Sequence, residues 1–319
     1  MAEGLDAVKQ EKIWMNGKLV RWDDAKVHVL AHGLHYGSSV FEGIRCYDTK
    51  NGVGIFRLEE HIDRLMDSAK IYCMDDIGYS KVDLVDACKE VVRTNKLKSA
   101  YVRPIIYRGY GGLAVIAKES KIEVSIAAWP WGAYLGEAAS TGLSVKVSSW
   151  TKLAPNTMPF LAKAGANYMN SQLAVMEVVR DGYDEAILLD NEGFVSEGSG
   201  ENLFLVKDDV IYTPTIASSI LNGITRKSVL AIAKKFGLKI REDKIPREML
   251  YIADELFFSG TAAEISAITF VDKIKVAEGK VGPVTKKIRD EFCKVIQTGE
   301  PKEWFSFIHR KTQNPQEPI

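Results

Sequence analysis

Leu153 to Met176 reads LAPNTMPFLAKAGANYMNSQLAVM, and between Lys152 and Glu177 it carries one ionisable amine, Lys163. A lysine is almost never fully buried without a partner, so the ordinary reading of one set in such a run is a surface residue. The alternative is an amine kept reactive by its surroundings, because burial disfavours the ammonium form and frees the nitrogen to attack a carbonyl. Three further segments bear on the choice. SEGSGENLF, from Ser196 to Phe204, puts Glu197 at a strand end before a tight glycine loop. LNGITRKS, from Leu221 to Ser228, runs from Gly223 into a helix that starts at Ile224 and Thr225. Free N–H groups at that start, with the Thr225 hydroxyl, form a phosphate cradle. SGTAAEI, from Ser259 to Ile265, sets small residues after a strand, where the Thr261 and Ala262 amides can also meet an anion. Each segment alone has a plain structural reading, Glu197 as a turn cap included. Together with the lone lysine they describe a site for an aldehyde cofactor that bears a phosphate and a basic ring nitrogen, and pyridoxal 5'-phosphate fits that description.

The elements that hold these residues follow from periodicity. Ile13 to Val20 predicts a hairpin around Asn16-Gly17, the pair suited to a type I′ turn. Leu34 to Tyr47, LHYGSSVFEGIRCY, runs from loop to strand and offers Tyr36, Phe41 and Arg45 either to a pocket or to a core. Helical spacing predicts helices over Arg57 to Tyr72 and Lys81 to Lys96, with Arg64 beside the apolar stripe of the first. Strands are expected at Ala100 to Arg108 and Ile122 to Trp129, joined by a glycine-rich loop. This first stretch reads as a small α+β domain over 1–130, followed by a connection at 131–137. The remainder, 138–319, reads as a larger, β-rich domain with helices near Asn167 to Arg180, Ile224 to Phe236 and Val284 to Ile296. The tail from His309 is polar and expected to fray.

Composition excludes several classes. The chain has 319 residues, 46% of them hydrophobic and 26% charged, as in a soluble globular protein. Lysine plus arginine and aspartate plus glutamate number 42 each, so no bulk field attracts nucleic acid or an anionic membrane. No uncharged apolar run is long enough to span a bilayer. The charged start, MAEGLDAVKQEK, does not read as a secretory signal. Cys46, Cys73, Cys88 and Cys293 are scattered without metal-like spacing and read as reduced thiols of a cytoplasmic protein. No metal site is expected from the five histidines.

The combination FEGIRCY, KAGANY, SEGSGENLF, LNGITR and SGTAAEI resembles the branched-chain amino-acid aminotransferases, pyridoxal-phosphate enzymes of fold type IV, from Ile13 to about Phe307. The resemblance implies ping-pong transamination of leucine, isoleucine and valine with 2-oxoglutarate. It implies that Lys163 forms the Schiff base and then shuttles a proton, that Glu197 pairs with the ring nitrogen, and that Tyr168 hydrogen-bonds the ring hydroxyl. Arg64, Ile224, Thr225 and Thr261 would hold the phosphate, which favours the inward reading of Arg64. The implied substrate wall is Phe41, Tyr36, Trp131, Tyr134 and, from a neighbouring subunit, Val115. Arg103, helped by Tyr36, would meet the distal carboxylate of glutamate. Tyr101 with the Thr261 and Ala262 amides would receive the α-carboxylate. A shared pocket implies a homodimer, alone or in a trimer of dimers. D-amino-acid aminotransferases and aminodeoxychorismate lyases are similar in fold and share the lysine and glutamate, but the FEGIRCY and AYVRP segments look like the L-branched-chain type. A non-catalytic protein of this fold would be expected to lack Lys163 or Glu197, and both are present.

Overall fold

Among the described residues, eight segments rich in β-branched and aromatic side chains pair into one antiparallel sheet. They are β1 (Lys12–Met15), β2 (Lys18–Arg21), β3 (Ser39–Phe41), β4 (Ile44–Thr49), β5 (Gly52–Phe56), β6 (Ala100–Arg108), β7 (Ile122–Trp129) and, from the far end of the chain, β17 (Phe305–Arg310). The computed structural model describes residues 9–131 and 141–310. The β1–β2 turn forms as expected, with Asn16 and Gly17 both at positive φ, 48° and 85°. Helix α1 (His32–Tyr36) precedes β3, while α2 (Leu58–Ile71) and α3 (Lys81–Thr94) pack against each other and around this sheet. The Ser80 hydroxyl accepts from the Asp83 N–H, whose carboxylate accepts from the Ser80 N–H, which starts α3. Leu58, Ile62, Leu65 and Ala69 are the buried stripe of α2.

The second sheet is mixed and holds β8 (Leu143–Val147), β9 (Glu185–Leu189), β10 (Val195–Gly198), β11 (Asn202–Lys207), β12 (Val210–Pro214), β13 (Lys239–Asp243), β14 (Glu255–Gly260), β15 (Glu264–Val271) and β16 (Ile274–Lys275). Its order is β10-β9-β8-β15-β14-β11-β12-β13, with β16 paired to β15. Helices α4 (Tyr168–Arg180), α5 (Ile224–Lys235), α6 (Met249–Ile252) and α7 (Pro283–Thr298) belong with it. The architecture is α+β, as expected. Sequence periodicity passes over β15, the central partner of β8 and β14, because this strand is buried on both faces and shows no alternation.

The C-terminal strand corrects the expected partition of the chain. Phe305–Arg310, assigned by sequence to the second domain with a fraying tail from His309, pairs with β5 of the first sheet in the register Phe305↔Phe56 and Phe307↔Gly54. The physical reason is an otherwise unpaired sheet edge together with an apolar anchor. Phe305 is buried, with its ring centroid 5.3 Å from that of Phe56. Phe56, Tyr47 and Phe305 also share a core with Phe204, Phe257 and Phe292 of the second half, and α7 packs on both β4 and β15. The two sheets are therefore joined by side chains as well as by the chain. Of the connection expected at 131–137, only Trp131 is among the described residues. Tyr134 lies outside them. Among the described residues no helix is long and apolar enough to cross a membrane.

Candidate active site

Lys163 sits on a loop stitched to the first sheet and its helices. Its N–H donates to Ser68 Oγ at 3.0 Å, and its carbonyl accepts from the Phe41 N–H at 2.9 Å. Ala164 forms a β-bridge with Val40. The side chain lines a cavity of about 210 Å³, where Nζ donates to the Tyr168 hydroxyl and lies 5.0 Å from the Phe41 ring centroid. Burial is the largest influence on this amine and brings it from 10.5 down to about 8. Tyr168 opens α4, five residues on, and burial pushes its hydroxyl up to about 12 against the pull of Lys152.

Across the cavity, β10 carries Glu197. Its Oε2 accepts from Asn202 Nδ2 at 2.9 Å and from the Leu221 N–H at 3.0 Å, so the carboxylate is held in a defined orientation. Gly223 caps α5 without any side-chain acceptor for its first N–H groups, and Ile224 and Thr225 line the cavity there. A Cβ on Gly223 would lie 2.0 Å from Asn202 Oδ1, so glycine lets that helix end approach β11. Arg64 reaches the same end from α2. Its Nε and Nη2 donate to Glu42 at 2.6 and 2.9 Å, and its Nη1 donates to the Asn222 carbonyl at 3.2 Å. Gly260, Thr261 and Ala262, at the end of β14, close this side.

The other end is aromatic with one cation. Arg103 lies over Phe41 at 4.8 Å, and its Nη2 donates to the Tyr101 hydroxyl at 3.3 Å. Its buried Nε makes no hydrogen bond among the described residues. Tyr101 and Trp131 are in ring contact at 4.8 Å. The structure thus gathers Lys163, Tyr168, Glu197, Arg64, Ile224, Thr225, Thr261, Ala262, Phe41, Tyr101, Arg103 and Trp131 around one cavity. It does not bring Tyr36 or Val115 there. Tyr36 donates its hydroxyl to the Leu113 carbonyl at 2.9 Å, and both Tyr36 and Val115 border a separate surface cavity. The expected help of Tyr36 to Arg103 therefore does not occur within one chain.

Comparison with known proteins places this arrangement. Residues 39–271 match the amino-transferase class IV family. The branched-chain-amino-acid aminotransferase of Escherichia coli (strain K12) is 51% identical over 307 residues, 96% of this chain and 99% of that one. The chain belongs to the class IV aminotransferases. The crystal structure of an Escherichia coli branched-chain amino acid aminotransferase superposes with a TM-score of 0.91 at 51% identity, covering 94% of this chain and 100% of that one. The branched-chain amino acid aminotransferase from Thermobaculum terrenum, in its PLP-form, gives 0.87 at 33% identity, covering 94% and 99%. These neighbours give the class IV aminotransferase its fold, type IV.

The donors of this class IV aminotransferase suit a phosphorylated pyridine aldehyde. The uncapped α5 start, the Arg64 guanidinium and a buried Ser259 hydroxyl with no partner among the described residues face one end, and the Lys163 amine and Glu197 face the middle. Four contributors escaped the sequence reading. Glu42 is fully buried between Arg64 and His61; burial opposes its ionisation, yet the Arg64 guanidinium and the His61 ring hold its carboxyl well below the usual range. Asn202 orients Glu197, and Lys152 and Glu201 line the cavity. Burial and then the neighbouring Glu185 carboxylate raise Glu201 to about 8. The only sequence signal for Glu42 is a carboxylate inside the apolar run SVFEGI, and it becomes legible once its partners are known.

Proposed function

We propose that this class IV aminotransferase moves the amino group of L-leucine, L-isoleucine or L-valine to 2-oxoglutarate through pyridoxal 5'-phosphate, in two half-reactions. The observation that carries the reading is a buried amine in one cavity with an anion-binding helix start at one end and an aromatic wall with Arg103 at the other. The names of its relatives favour this reading over the D-amino-acid and lyase alternatives. When bound, the cofactor supplies an electron sink for charge at the substrate Cα. Lys163 Nζ would hold the cofactor through its aldehyde and carry the substrate Cα proton, a task that suits an amine brought toward neutral pH. Glu197 receives the ring nitrogen and Tyr168 the ring hydroxyl. Arg64, the Ile224 and Thr225 N–H groups and Thr261 hold the phosphate. Tyr101, with Thr261 and Ala262, orients the α-carboxylate.

One pocket must take both an aliphatic side chain and a γ-carboxylate. Phe41 and Trp131 provide apolar surface, and Arg103, whose Nε has no partner among the described residues, meets the carboxylate. Tyr36 and Val115 serve this purpose in trans. They border one surface cavity with Ile116, and Val115 is 83% exposed. A homodimer, alone or within a trimer of dimers, is therefore the smallest active unit. Sedimentation of a fully active monomer would overturn that. All four cysteines are free thiols, which supports the cytoplasm as the place of reaction.

The test offers L-leucine, L-isoleucine, L-valine and D-alanine in parallel, with 2-oxoglutarate as acceptor. Turnover of the three L-substrates with D-alanine inert is expected. Turnover of D-alanine alone would overturn the substrate assignment, and turnover of none would overturn the reaction.

A further inference from the structure

Lys152 is the second amine of the cavity, and the reaction proposed above gives it no part. Its side chain is 11% exposed, and Nζ lies 2.7 Å from Glu197 Oε1. The segment beneath it is fixed, since the Lys152 N–H donates to the Leu189 carbonyl at the end of β9, at 2.8 Å. Glu197 uses Oε2 for Asn202 and Leu221, which leaves Oε1 to the ammonium. Lys152 lines the same cavity as Tyr168, and its charge opposes the upward push of burial on that hydroxyl. The other charged groups around Lys163 are Arg64, committed to Glu42, Arg103, which lies over Phe41 at the aromatic end, and the Glu201 carboxyl, while Lys163 itself donates to Tyr168.

We propose that Lys152 is a positioning residue, an ammonium paired with Glu197 in the cavity that Lys163 and Tyr168 also line, which makes the potential around the cofactor ring more positive and so favours the deprotonated form of the bond between Lys163 and the cofactor aldehyde. A cation held against Glu197 offsets part of that carboxylate's negative potential, and so disfavours a proton on a nitrogen of the same cavity. The inference rests on the cofactor reading given above. It makes Lys152 an influence on the charge state of the resting enzyme, distinct from the groups that touch substrate.

The experiment is a pH titration of the visible absorbance of the holoenzyme in wild type, Lys152→Met, Lys152→Gln and Lys152→Arg. Removing the charge should move the midpoint up by about one pH unit in the Met and Gln variants, while Arg keeps it near wild type. Loss of packing alone would not distinguish Arg from the two neutral side chains in this way. A midpoint unmoved in both neutral variants, or moved as far in the Arg variant, overturns the role of Lys152 and leaves the cofactor reading intact. A wild-type protein with no visible cofactor band, or a band unchanged by Lys163→Ala, overturns the cofactor reading and this inference with it.

Discussion

Lys163 is useful because its surroundings tolerate an amine better than an ammonium. Burial outweighs the attraction of Glu42, while Arg64 and Arg103 add repulsion, so the nitrogen titrates near 8. On the proposed function, Lys163→Ala should lower turnover more than about a thousandfold, since it would remove both the covalent bond and the proton carrier. Glu197 is held by two hydrogen bonds on one oxygen, so Glu197→Gln keeps much of the geometry and removes the charge. It should cost about a hundredfold or more in kcat while the cofactor stays bound. Steady-state kinetics and the retained absorbance check both variants. Substantial activity in Lys163→Ala would remove that assignment, and near-normal turnover in Glu197→Gln would mean that another group meets the ring nitrogen.

At the level of elements, the site depends on how closely β3, β4 and β6 approach one another. Gly43 lies between β3 and β4, and a Cβ there would lie 1.8 Å from the Tyr101 hydroxyl oxygen of β6. Tyr101 is buried between the β4 register partner Arg45 and the aromatic pair Trp129 and Trp131, so its ring has little room to retreat. Gly43→Ala should therefore displace the hydroxyl proposed above to orient the α-carboxylate. The expected result is a KM raised about tenfold with a smaller change in kcat, as when binding common to ground and transition states is lost. An unchanged KM for both amino and oxo acid would show that Tyr101 does not make that contact. The loop after β14 is braced similarly, because Tyr47 of β4 donates to Glu264 at 2.9 Å, two residues beyond Ala262. Substrate loop and first sheet thus share one hydrogen bond across the two halves.

For the whole molecule, the buried carboxylates set a pH dependence of stability. Burial and Glu185 raise Glu201 from 4.5 to about 8, so the folded protein keeps a proton that the unfolded chain releases. Stability from this group is complete below the unfolded value and is lost as pH rises through the folded one. Wild type should accordingly lose at least about 1 kcal/mol between roughly pH 5 and 8 that Glu201→Gln does not lose. Denaturant midpoints across that range decide it, and parallel pH curves would show that Glu201 does not keep this proton. The same cavity wall carries the catalytic groups, so the buried proton and the active site belong to one network of charges.

Local chemistry is what the sequence determined by itself. A lone lysine, a glutamate at a strand end, a glycine before a helix and the Asn16-Gly17 turn each act through neighbours a few residues away, and their motifs resemble one family in order. Alternation located β6 and β7, and helical spacing located α2 and α3, because each of these elements keeps the spacing of its own secondary structure. Tertiary structure decided what depends on distant partners. Glu42 is a counter-ion only because α2 brings Arg64 and His61 to it. Lys152 lies outside the lone-lysine stretch, yet the second sheet carries it to Glu197. Tyr36 and Val115 are turned away from their own chain's cavity, and β17 crosses back to the first sheet, because packing and edge pairing act through space and leave no periodicity to read.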